Sequence, residues 1–147
     1  MNKCTILLRC LLMGFIMLLS FISYGQQEVV GSWLVDWNMT KEKMPSSEKS
    51  SYDNLSQPAK DRLITTFSQR QFNFNTDGTV DISYPLGGEI KKVSGTWIFQ
   101  PDNSTLEIQT SQYTSKYSVV WLSDTQLQLT NLDNENKGLI KILVLKK

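Results

Sequence analysis

The sequence predicts an all-β fold: an eight-stranded up-and-down antiparallel barrel with one short helix between the first two strands. Three observations carry that expectation. Past residue 70, short runs of alternating apolar and polar residues recur, the signature of strands with one wet face. Clusters of Asn, Asp, Gly, Pro and Ser separate the runs and supply turns. One stretch, Leu55, Ala59, Leu63, Ile64 and Phe67, has helical spacing instead.

Lys3 and Arg9 stand ahead of an apolar run from Leu11 to Ile22, followed by Ser23-Tyr24-Gly25. Small residues there suit a signal peptidase, so residues 1–25 are expected to be a cleavable signal peptide and 26–147 one domain. The apolar run is shorter than the ~20 residues a bilayer-spanning helix needs, so no stable membrane anchor is expected after cleavage. Cys4 and Cys10 sit away from the cleavage point, where a lipid anchor would attach, and both depart with the signal. The mature chain is thus expected to be exported, periplasmic or secreted, and to fold without a disulfide.

Of the 15 basic residues Lys3 and Arg9 leave with the signal, against 14 acidic ones that stay. A near-neutral balance is no footprint for nucleic acid. The chain has no histidine, so with its cysteines gone it lacks the usual zinc, copper and haem ligands and the commonest general base. No metal and no cofactor are expected.

The strands read as 29–37, 70–75, 79–84, 94–100, 105–110, 114–122, 125–131 and 139–146. Alternation is clearest at Val80, Ile82 and Tyr84, at Phe72 and Phe74, and at Leu127 and Leu129. A one-sided sheet this long hides its edges by closing into a barrel, a two-sheet sandwich being the other solution. The helix begins at Ser56 as N-cap, with Pro58 in its first turn. Residues 41–53, rich in Ser, Lys and Glu, read as a mobile loop.

In up-and-down order the tight turns at 75–78, 101–104 and 122–124 share one end, which is closed. The other end receives the loop and helix, the stretch 85–93, the short link 111–113 and residues 132–138. Long connections gathered at one end of a barrel form the expected mouth, with the helix as its lid. Trp33, Phe74, Phe99 and Trp121 then fall toward the closed end, with Trp37, Phe72, Tyr84 and Tyr117 toward the mouth beneath Leu63 and Phe67.

Gly31-Ser32-Trp33 in the first strand resembles the Gly-X-Trp motif of lipocalins. The order that follows, a helix from Ser56, then Phe72-Asn73-Phe74, Asp77-Gly78-Thr79, Ser94-Gly95-Thr96-Trp97 and Leu122 to Leu127, is similar to small lipocalin-like domains exported by Gram-negative bacteria. The resemblance implies that Trp33 plugs the base of the barrel beside Gly31, Phe99 and Trp121, and that the mouth takes a small apolar molecule. Two departures stand out. The helix lies between the first two strands, and the last-strand arginine that lipocalins lay over this tryptophan is matched by Lys146. Lysine keeps a cation–π contact but not the planar fork.

Arg70 shares a side with Phe72 and Phe74, which points it inward near the mouth to receive a carboxylate, or toward Glu89 or solvent. Asp36, Asp81 and Glu107 alternate with inward residues, and Asp77, Asp102 and Asp124 are turn formers. Asp133 and Glu135 lack the spacing and glycine of a calcium loop. No catalytic residue is identified, and the chain is not expected to be an enzyme. The candidate ligand site is Trp37, Leu63, Phe67, Arg70, Phe72, Tyr84 and Tyr117. The expected function is binding or carriage of a small hydrophobic molecule. A ligandless cell-envelope interaction domain with a packed core is the alternative, and the sequence specifies no protein partner.

Overall fold

Residues alternating along the strands close into a barrel in the computed structural model, which describes residues 28–133 and 140–147. The strands are β1 (Gly31–Val35), β2 (Gln71–Phe74), β3 (Thr79–Leu86), β4 (Glu89–Gln100), β5 (Thr105–Thr110), β6 (Thr114–Ser123), β7 (Gln126–Asn131) and β8 (Ile142–Lys146). Each pairs antiparallel with its neighbours in sequence, and β1 pairs with β8 to close the ring. The predicted fold class is the one observed. The expected signal peptide and residues 134–139 lie outside the described residues.

Inward residues of the strands make one core: Trp33, Phe74, Val80, Trp97, Phe99, Leu106, Leu127 and Leu145 toward the turn-bound end, with Phe72, Ile82, Ile108, Leu129 and Leu143 above them. Trp33 is fully buried, donates from its indole nitrogen to the Val29 carbonyl at 2.7 Å and lies 6.1 Å from the Trp121 ring. Phe74 meets the edge of Trp97 at 5.4 Å. The turn at 75–78 uses Gly78 at φ +83°, with Asp77 accepting from the Thr79 amide at 2.9 Å.

Strand β8 corrects the expected base of the barrel. Its inward residues are Leu143 and Leu145, while Val144 is buried outside the barrel beneath a helix and Lys146 faces outward to Asp36 at 3.3 Å. Lys147 instead stands over Trp33, its Nζ 4.7 Å from the ring centroid. The reason is burial on both faces: Ile140 to Leu145 is apolar at nearly every position, so alternation does not choose a face, and a slip of one residue exchanges them all.

Between β1 and β2 lie three helices, α1 (Trp37–Lys43), α2 (Ser46–Asp53) and α3 (Gln57–Ser68). The third is the expected one, with Ser56 at its N-cap and Pro58 in the first turn. The stretch 41–53 expected as a mobile loop is largely helical. Seven- and eight-residue helices are too short to stand by propensity; these are held by a second apolar cluster of Trp37, Met44 and Tyr52 with Leu55, Leu63, Ile64 and Phe67. Trp37 accordingly opens α1, capped by Asp36 accepting from the Met39 amide at 3.2 Å, and does not continue β1.

The stretch 85–93, expected as a long loop, is a hairpin. Gly87 and Gly88 take φ +65° and +87°, as a two-residue turn between right-twisted strands requires. Pro85 is tolerated because it lies past the end of β2, whose last partner on β3 is Ser83.

Candidate ligand-binding site

The open end of the barrel holds a cleft of about 720 Å³ lined by Arg70, Phe72, Ile82, Tyr84, Ile108, Tyr113, Thr114, Ser115, Tyr117, Asp133 and Leu143. Its floor is apolar and closed: Phe72, Ile82, Ile108 and Leu143 are all buried. Its upper ring is polar, with Arg70 and Tyr84 on the β2–β3 side and Tyr113, Ser115, Tyr117 and Asp133 across the opening.

Arg70 follows α3 and leads into β2. Its amide donates to the Phe67 carbonyl and its carbonyl accepts from the Val35 amide, both at 3.0 Å, which fixes the backbone between lid and barrel. The guanidinium carbon sits 4.5 Å from the Phe67 ring centroid and 4.9 Å from that of Tyr84. Its Nε is buried and has no hydrogen-bond partner among the described residues. Burial lowers the Arg70 pKa, opposed by the neighbouring phenols of Tyr113, Tyr84 and Tyr117, yet an arginine stays charged. Burial likewise pushes Tyr113 and Tyr117 above the usual tyrosine value, so both are neutral donors at physiological pH.

Of the residues expected at the mouth, Arg70, Phe72, Tyr84 and Tyr117 line this cleft together. Trp37, Leu63 and Phe67 do not: they pack in the lid cluster, Trp37 against Tyr52 at 5.7 Å and Phe67 at 6.0 Å, and Phe67 reaches the site through its contact with Arg70. Of the expected base, Gly31 takes φ +129°, Phe99 is buried and Trp121 half-buried against Trp33, whereas Lys146 is replaced by Lys147.

Seven further residues line the cleft beyond those expected, among them Thr114 at the start of β6. Ile82, Ile108 and Ser115 follow from parity with Tyr84, Leu106 and Tyr117. Leu143 was hidden by the ambiguous face of β8. Tyr113 sat in a three-residue link, where the Thr110 hydroxyl holds it by accepting from its amide at 3.1 Å. Asp133 follows β7, its amide donating to Asn131 Oδ1 at 2.7 Å and its carboxylate accepting from the Lys116 amide at 3.3 Å; nothing in the local pattern marks it as part of a cleft.

Among the described residues no three His, Cys, Asp or Glu side chains gather as metal ligands, and no helix is long and apolar enough to cross a membrane. No protein-family model matches the chain, and no curated protein does. Among solved structures it is similar to a DUF4847 family protein from Bacteroides vulgatus, at 16% identity over 78% of this chain and 89% of that one, with a TM-score of 0.47.

Proposed function

We propose that this protein is an exported, lipocalin-like binder of a small amphiphilic molecule, seated with its apolar part on the cleft floor and its polar or anionic group at the rim. The observation that carries this reading is Arg70, a half-buried cation whose side chain lines the cleft and whose buried Nε–H has no acceptor among the described residues. A buried donor left unpaired costs about 1–3 kcal/mol, more for a charged group, and a ligand acceptor at this guanidinium offsets that cost. The neutral phenols of Tyr113 and Tyr117, with the Tyr84 hydroxyl, add donors around the same opening.

The test is a titration of the protein with a panel of fatty acids, retinoids and environment-sensitive dyes, followed by tryptophan fluorescence and repeated with Arg70→Ala and Phe72→Ala. Saturable binding weakened in both variants is the expected result. The packed lower half, from Phe74 down to Trp33, favours the second reading, a ligandless interaction domain of the cell envelope. Flat titrations across the panel would select it.

A further inference from the structure

The cleft is shallow, and its depth sets the kind of molecule it takes. Along β2 and β3 the rim residues Arg70 and Tyr84 are each two positions from the floor residues Phe72 and Ile82, a step of about 7 Å along a strand. Two positions farther down stand Phe74 and Val80, and on β5 and β8 Leu106 and Leu145 lie below Ile108 and Leu143. Those four are at most 1% exposed. Among the described residues no channel therefore continues beneath the floor, and a ligand's apolar part is confined to about one strand step. The walls of that step are rings, with Phe72 below, Tyr84 on one side and Tyr113 and Tyr117 across from it, a lining that favours a flat apolar body.

The polar end is equally constrained. Phe67 and Tyr84 approach the centre of the Arg70 guanidinium, and aromatic contact of that kind occupies a guanidinium face while leaving the in-plane N–H donors for a ligand. In-plane donors of an arginine match the two oxygens of a carboxylate as a fork. Tyr113 and Tyr117, kept neutral by burial, can donate to the same oxygens.

We infer that the cleft selects a compact aromatic carboxylic acid, one ring deep, with its carboxylate at Arg70, over a long-chain lipid. This rests on the binding reading above and narrows it.

The probes are phenylacetate, its neutral isostere phenylacetamide, hexanoate and decanoate, titrated calorimetrically into the protein and into Arg70→Gln and Arg70→Lys, with near-UV circular dichroism confirming that each variant is folded. The expected result is phenylacetate bound at least about tenfold more tightly than phenylacetamide, with that preference erased in Arg70→Gln and reduced in Arg70→Lys, which keeps the charge but not the fork. Decanoate should bind no more tightly than hexanoate, because the floor stops the extra methylenes; a deep apolar tube would favour decanoate by roughly a hundredfold. Equal affinity for acid and amide, or a strong gain with chain length, would overturn the inference and leave the binding reading standing. Silence from all four probes together with the fatty acids, retinoids and dyes would overturn both.

Discussion

Replacing Arg70 by methionine should make the unliganded protein more stable. The wild-type side chain is a half-buried permanent cation whose buried Nε–H has no acceptor among the described residues, a defect worth about 1–3 kcal/mol. Against it stand the two ring contacts, 4.5 Å to Phe67 and 4.9 Å to Tyr84, each contributing about 0.5–1 kcal/mol and up to about 2 when desolvated. Methionine removes the charge and the orphan donor, and its thioether keeps about 0.3–1.5 kcal/mol of contact with such rings. The difference is a gain of about 1 kcal/mol, which in a domain of this size raises Tm by roughly 3–5 °C. Urea titration and calorimetry of the unliganded protein measure it. A loss of about 1 kcal/mol or more would mean that the guanidinium is compensated within the fold, and the case for an open anion site would fail with it.

Three further outcomes follow from the geometry. Lys147→Ala should cost about 0.5–1 kcal/mol and shift tryptophan emission, because Lys147 covers Trp33, while Lys146→Ala should leave the emission unchanged; the reverse result would restore the other register of β8. Gly95→Ala would put a Cβ 2.1 Å from the Gln109 carbonyl oxygen, so β4 and β5 must separate, with an expected loss of about 1–3 kcal/mol in chemical denaturation; a variant as stable as wild type would refute that contact. Tyr113 and Tyr117 have pKa values raised by burial, so their contribution to stability is complete below the unfolded tyrosine value of about 10 and is lost as pH rises through the higher folded values. Denaturation midpoints should therefore show no tyrosine-linked fall until the pH exceeds about 10; a fall traced to either phenol at lower pH would contradict the burial.

The barrel was readable from sequence because most of its strands have one wet face, so period-2 alternation at Phe72, Phe74, Val80, Ile82, Leu127 and Leu129 announced both strand and side. Half of the cleft followed from the same parity: once Tyr84 and Tyr117 point inward, so do Ile82 and Ser115. The rest failed where a second layer covers the sheet. Val144 is apolar on the outer face because α1 lies on it, which erased the alternation that would have placed Lys147 over Trp33. Helices α1 and α2 owe their form to contacts made far along the chain, Trp37 with Tyr52 and Phe67, which local propensity does not contain. Pro85 beside Gly87-Gly88 looked like a loop because a proline is a poor strand residue, and only the early end of β2 makes it harmless.

The seam that closes the ring bears on how the protein folds. Strands β1 and β8 meet over a short register, Leu34 with Lys146 and Val35 with Leu145, and α1 clasps the join from outside: Val144 donates its amide to the Thr40 hydroxyl at 2.9 Å and accepts from the Asp36 amide at 2.8 Å, while Lys146 reaches Asp36. Every other strand pairing joins neighbours in sequence, whereas Thr40 and Val144 stand 104 positions apart. The hairpins from β2 to β7 can therefore assemble on local contacts, and the seam bears the largest loop-closure entropy and the highest contact order, which places it late and makes it slow. Until α1 docks, the growing sheet presents two free edges, β1 and β8, each with the partner preferences of the other. At high concentration the first strand of one molecule can then meet the last strand of another, and the domain-swapped dimer is the misassembly to which this topology is most exposed.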